Sequence, residues 1–302
     1  MRIDFHVHLT PPEISSGWRR LARREPHFAE LCSSPANRFA TAEDAAAMLG
    51  GEGFDMAAAF GFGFRDPGLC RLANDYVIEK SREFPGRIAG FMCVSPRAKG
   101  LEREIARCHD AGLKGVGEIF PEGQGLDLGD SRATRALIGA CRERGLPLIV
   151  HAGEPVGHSY AGKGKADMRR LERFVEDSRG MSVTLAHWGG GILFYEAMPE
   201  VREKFRGVSY DTAATPLLYG ECVYRAALAL GLGGKIVFGS DFPLLAPGRY
   251  MPALEALPPG ARGKILGGNA MRILSGAQAA ESGPASPGKA RGRERLPGAA
   301  PA

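Results

Sequence analysis

The 302-residue chain is predicted to fold as an α/β protein, a (β/α)8 TIM barrel. Three observations point there. Short apolar, β-rich runs alternate with longer amphipathic runs of Arg, Glu, Ala and Leu, eight times over. Runs such as LPLIVH and GKIVFG are continuously apolar, as parallel strands covered on both faces require. After the second strand, strand starts recur every 25–35 residues or so, the length of a βα unit. An open doubly wound sheet is the alternative.

Strand 1, residues 2–8, reads RIDFHVH and alternates from its first residue. A long gap follows, with residues 11–51 rich in Arg and Ala. In a barrel this insertion would lie over the catalytic end of the strands and could act as a lid. Strand 2 (54–60) leads to a helix over 69–83, and strand 3 (87–94) to a helix over 101–111. Strand 4 (112–120) precedes a helix at 132–144, and strand 5 (146–151) one at 167–178. Strand 6 (182–187) leads to 194–205 and strand 7 (207–211) to 217–230. Strand 8 (235–239) is followed by a last helix at 260–274. From residue 277, 18 of 26 positions are Ala, Gly, Pro or Ser, so the tail 277–302 is expected to be disordered. The expected domain is therefore 1–276, with 11–51 as its insertion.

Composition narrows the function classes. Apolar residues make up 44% and charged residues 24%, as in an ordinary soluble domain. No apolar run approaches the length of a membrane span, and no signal peptide is read at the N-terminus. Six scattered cysteines without a C-x-x-C pair read as reduced thiols, which suggests a cytoplasmic location. The net charge of +5 includes +2 in the tail, leaving a nearly balanced body. Without a basic stripe, no nucleic-acid partner is expected. The expected partner is a small molecule, with a homodimer as the expected assembly.

The chemistry gathers at strand ends. Strand 1 finishes His6-Val7-His8, two imidazoles at i and i+2, which share one face of a strand. Strand 5 ends in His151, strand 6 in His187, and strand 8 runs on to Asp241. Barrel enzymes keep their active sites at that end. A lone His at a strand end is usually structural, and an Asp after a strand is usually a turn or cap. Five such residues on four strands are harder to dismiss. His6, His8, His151 and Asp241 form a nitrogen/oxygen metal shell with room for a water.

The motifs DFHVHLTP, LIVHAGEP, LAHWGGG, VFGSDFP and GGNAMRIL resemble those of the amidohydrolase superfamily. The resemblance is to the branch that includes aminocarboxymuconate-semialdehyde decarboxylase, and it extends from Arg2 to Leu274. It implies a metal-dependent barrel enzyme, with Zn2+ the expected metal, as one ion or two. His6, His8 and His151 would be ligands. His187 would orient water and polarise the substrate, or bind a second metal. Asp241 would bind metal and shuttle a proton. Strand 4, GLKGVGEIFP, is similar to the glutamate version of a bridging ligand seen in TatD-type nucleases. Glu118 is thus either a bridge to a second ion or a partner that orients a ligand histidine. Lys114, Val116 and Glu118 share parity in a regular strand; Lys114 lies too early to be a ligand.

Weaker expectations concern the substrate, which could be a carboxylate. Arg65 is a candidate clamp, since guanidinium pairs bidentately with carboxylate. His158, Lys163 and Lys165 stand in the loop after strand 5 with Glu154, and Trp188 follows His187. His27 and His109 lie away from strand ends and are read as structural. Bound Zn2+ lowers the pKa of water from 15.7 to about 7. The first expectation is therefore hydrolysis of a C–N or C–O bond in a small carbonyl substrate. Non-hydrolytic decarboxylation is the alternative, a metal-dependent nuclease comes third, and a non-catalytic binding barrel last.

Overall fold

The computed structural model describes residues 1–164 and 167–276. The tail expectation for 277–302 and the substrate contact expected of Lys165 lie outside the described residues. Eight parallel strands alternate with helices in the predicted order: β1 (Ile3–His8), β2 (Met56–Phe60), β3 (Ile88–Gly90), β4 (Val116–Ile119), β5 (Leu148–Val150), β6 (Val183–Leu185), β7 (Val208–Asp211) and β8 (Ile236–Val237). They pair in sequence order as β1–β3 and β4–β8. Two seams join these sheets. Lys114 N donates to Gly90 O and Met92 N to Gly115 O, linking β3 to β4. Phe5 N donates to Phe238 O and His8 N to Phe242 O, linking β8 back to β1. The strands thus close on themselves, and the open-sheet alternative falls away.

Two apolar layers hold the barrel. Ile3, Phe5, Ala58, Phe60, Phe91, Ile149, Ala186 and Val237 form one buried cluster contributed by β1, β2, β5 and β8 and by residues next to β3 and β6. Phe5 and Phe91 meet edge to face there, with centroids 5.6 Å apart. A larger cluster includes Val77, Ile105, Leu137 and Phe174 from the helices and Val116, Leu148, Val183 and Val208 from the strands. The helices are α4 (Pro67–Glu83), α5 (Leu101–Asp110), α7 (Ser131–Glu143) and α8 (Met168–Asp177), numbered after those of the insertion. Asp66, Asp130 and Asp167 cap α4, α7 and α8 by accepting first-turn N–H bonds.

The 11–51 segment is helical rather than loose. It holds α1 (Pro12–Leu21), α2 (Pro26–Ser33) and the start of α3 (Ala42–Glu52). Thr41 and Asp44 form a capping box at α3, and Gly53 closes it with φ 71°. Ala45 and Leu49 bury against the main core, so α3 belongs to the barrel. Only α1 and α2 form the added layer. Phe28 of α2 packs with Phe64 and Cys93 in its own cluster, and Glu25 accepts from Arg65 N and Asp66 N. A short helix, α6 (Pro121–Gln124), follows β4. After β6 comes a 3-10 stretch, His187–Ala197, and then α9 (Pro199–Lys204). The helix expected at 194–205 is therefore broken in two. Five consecutive residues with positive φ, His187 to Gly191, explain why no regular helix can start earlier.

Candidate metal centre and active-site cavity

Each site residue stands at the C-terminal end of its strand. His6 and His8 close β1, Glu118 lies in β4, and His151 and His187 follow β5 and β6 within two residues. Asp241 lies beyond β8. Local backbone sets their aim. The β4–β5 register shifts between Val116 and Ile119. Gly117 makes this shift at φ 146°, and a Cβ there would stand 2.6 Å from Ile149 Cβ. Because of the bulge, Val116 packs in the helix-facing core while Glu118 enters the site. The shared parity expected of Lys114, Val116 and Glu118 does not hold. His187, Ala214 and Asp241 are non-glycine residues with φ between 54° and 63°, and all three line one cavity. Such backbone costs of order 1–3 kcal/mol per residue, and surrounding contacts must hold it in place.

At the base of that cavity, His6 Nε2 lies 3.2 Å from His8 Nε2. Asp241 Oδ1 is 3.6 Å from His6 Nε2 and 3.4 Å from His8 Nε2. Glu118 Oε2 is 3.6 Å and 3.7 Å from the same two nitrogens. Ligands about 2.0–2.2 Å from one ion in a tetrahedron stand about 3.3–3.6 Å apart. Tautomers reinforce the fit. His6 Nδ1 donates to Asp211 Oδ2 at 2.9 Å, which leaves the lone pair on Nε2. His187 Nδ1 donates to the Ala213 carbonyl at 3.1 Å, so its Nε2 lone pair faces Glu118 Oε1 at 3.5 Å. Acceptors thus face acceptors in a buried site, and a cation resolves that conflict. Among the described residues, two ligand groups meet a metal-binding spacing: His6, His8 and Asp241, and His6, Glu118 and His187.

Without an ion, protons carry this burden. Burial alone would push His6 down, but Asp211 and Glu118 outweigh it and hold the ring well above its usual range. Burial also opposes charge on His187. The Glu118 hydrogen bond and charge, with Asp241 and Asp211, raise it to about 9. Burial would raise Glu118, but the charges of His6 and His151 hold it well below the carboxylate range. Asp241 is likewise carried past its burial penalty, to about 2, by a hydrogen bond from His8 and the charges of His6 and His187.

The structure brings together five strand-end residues and Glu118. His151 stands one step out from the His6–His8 pair, its Nδ1 2.9 Å from Glu118 Oε1. Its Nε2 is buried without a hydrogen-bond partner. Of the substrate contacts expected from sequence, His158 lines the cavity. Arg65 does not: its guanidinium donates to the carbonyls of Gly123 and Glu122. Lys163 Nζ is tied to the carbonyls of Val156 and His158. Trp188 is fully buried, with Nε1 on Thr215 Oγ1 and its ring edge to face with Tyr224. None of these three is among the residues that line the cavity.

Several residues here had no sequence signal strong enough to single them out. Asp211, at the end of β7, accepts from His6 Nδ1, His187 N and Ala213 N. Asp4 accepts from Ser240 N and Oγ and from His6 N, tying β1 to the turn that carries Asp241. Burial, partly offset by those bonds, raises Asp4 to about 7. Phe62 stacks on His8 with centroids 4.9 Å apart, and Phe120 lies 3.9 Å from His151. His27, read from sequence as structural, enters the cavity wall from α2. The cavity holds about 290 Å³ and is mainly apolar. Among the described residues, no helix is long and apolar enough to cross a membrane. None of the six cysteines is in a disulfide.

The sequence profile of the amidohydrolase family matches residues 3–275. No curated protein sequence matches the chain. Solved structures do. A 5-carboxyvanillate decarboxylase from Sphingomonas paucimobilis is similar with a TM-score of 0.74 at 17% identity, over 91% of this chain and 98% of that one. A dihydroxybenzoic acid decarboxylase from Polaromonas sp. JS666, with manganese and the inhibitor 2-nitroresorcinol, gives 0.68 at 14%, over 91% and 96%. A 4-oxalomesaconate hydratase from Rhodopseudomonas palustris gives 0.65 at 16%, also over 91% and 96%. At such identities the likeness carries the fold.

Proposed function

The chain belongs to the amidohydrolase family, and from that premise we propose that it is a divalent-metal-dependent decarboxylase of small planar carboxylic acids. This reverses the order expected from sequence, which put hydrolysis first. Of the three similar structures described above, two are decarboxylases and one is a hydratase, which supports an enzyme of lyase chemistry. The observation that carries the reading is the cavity itself. Aromatic rings wall it, a cluster of imidazoles and carboxylates forms its base, and no Lys or Arg among the described residues lines it. An apolar, aromatic-walled cavity suits a planar ligand.

We propose one catalytic domain over residues 1–276, working in the cytoplasm. His6, His8 and Asp241 would hold the ion, with His151 and Glu118 at its margin. A manganese-containing relative supports a divalent ion, and zinc fits the same donors. When bound, the ion supplies positive charge against the substrate's oxygens.

The chain's own residues then handle the proton. Decarboxylation breaks the C–C bond to the carboxylate and forms a C–H bond at the same carbon. The breaking bond's electron pair stays on the substrate, CO2 leaves, and one proton is consumed. We assign that proton to His187, whose Nδ1 is fixed on Ala213 O and whose Nε2 faces the cavity's acid cluster. Asp241, held ionised beside it, relays the replacement proton from water to His187 Nε2, so one proton is taken up per turnover. Phe62 and Phe120 hold the ring and exclude water. The test is CO2 release from a panel of hydroxybenzoates by manganese-loaded protein. Turnover that survives in both His187→Asn and Asp241→Asn would remove these assignments.

A two-ion hydrolase is the second reading, favoured by one observation. Glu118 belongs to a second ligand group that shares His6 with the first. Metal content decides: two ions per chain, falling to one in Glu118→Gln, would restore hydrolysis to first place.

A further inference from the structure

The added layer over the barrel contributes one polar ring to the cavity. His27, on α2, stacks on Phe120 with centroids 3.7 Å apart and planes at 25°. Phe120 in turn faces His151, so the three rings form a column from the insertion to the acid cluster. Gly123 makes this approach possible. A Cβ there would stand 2.6 Å from both Cγ and Cδ2 of His27.

Among the described residues, neither nitrogen of His27 has a hydrogen-bond partner. Nε2 is buried without a hydrogen-bond partner. Nδ1 has only Glu30 Oε2, at 3.9 Å, beyond hydrogen-bond range. Burial first, and the neighbouring His151 next, push the ring down to about 4. It is therefore neutral, with one donor and one acceptor, both unused. The buried, unpartnered Nε2 is costly unless a ligand meets it.

We infer that His27 is a specificity-determining residue that hydrogen-bonds an uncharged polar substituent, a hydroxyl or an amide, on the end of the substrate away from its carboxylate. The inference rests on the proposed reading of the substrate as a planar acid. It also sets a limit. With no Lys or Arg lining the cavity among the described residues, a second carboxylate at that end would be buried without a counter-charge.

Calorimetric titration tests this on manganese-loaded protein, with benzoate, 3- and 4-hydroxybenzoate and terephthalate as probes. Wild type should bind one of the hydroxybenzoates about tenfold more tightly than benzoate, and terephthalate more weakly than either. His27→Ala should erase the hydroxyl preference and leave benzoate affinity within about twofold. His27→Asn, which keeps a donor and an acceptor, should retain part of it. Gly123→Ala, which leaves the imidazole in the chain but crowds its seat, should weaken the preference as His27→Ala does. A preference undiminished in His27→Ala, or terephthalate bound as tightly as the hydroxy acid, would overturn the role of His27 alone. If wild type binds none of these acids, the acid-substrate reading and this inference fall together.

Discussion

Asp211 shows how one buried carboxylate organises the centre. It holds three donors at once, and through His6 Nδ1 it decides which nitrogen of His6 faces the cluster. Replacing it with Asn keeps the size but loses the charge that fixes the tautomer. Asp211→Asn is expected to lower metal affinity about 10–100-fold while leaving the barrel folded, read by metal titration alongside circular dichroism. A second prediction concerns pH. In metal-free protein His187 is raised to about 9 against an unfolded value near 6.5. Its stabilisation is complete below about pH 6.5 and is lost as pH rises through about 9. Glu118 and Asp241 are depressed, so their contribution is lost on the acid side instead. The chelated protein should therefore melt several degrees lower at pH 9 than at pH 7, and manganese should remove most of that difference. Equal slopes with and without metal would argue that no ion replaces the shared protons.

At the scale of elements, strand order and strand-end residues were legible, because apolar runs and the period of two report them directly. His6 and His8 project together as their spacing requires. The bulge in β4 was not legible, because parity arguments assume a regular strand. One glycine changes that. Gly117→Ala would place a Cβ 2.6 Å from Ile149 at a φ of 146° that L-residues avoid. It is expected to cost at least about 2 kcal/mol by urea denaturation and to displace Glu118. Polar long-range partners were equally hidden. Arg65 looked free to clamp a substrate, yet it is spent on the carbonyls of Gly123 and Glu122. Asp211 reaches His6 across 205 residues, which no local pattern encodes. His27 lacked a signal because α2 approaches the cavity only through tertiary packing on Gly123.

At the scale of the molecule, the barrel brings β1, β4, β5, β6 and β8 to one rim, and α2 of the insertion adds His27 and Phe28 to the cavity wall. That arrangement makes an aromatic-walled cavity over a ligand set too rich in acceptors to satisfy itself. Metal at that set is the central claim, and the chemistry depends on it. The most direct test is metal content per chain, by elemental mass spectrometry, for purified wild type and for the His6→Ala/His8→Ala double variant. One tightly held divalent ion per wild-type chain, lost from a double variant that remains folded, is the expected result. Wild-type protein that holds no ion after loading with manganese or zinc, or a double variant that keeps its ion, would contradict it.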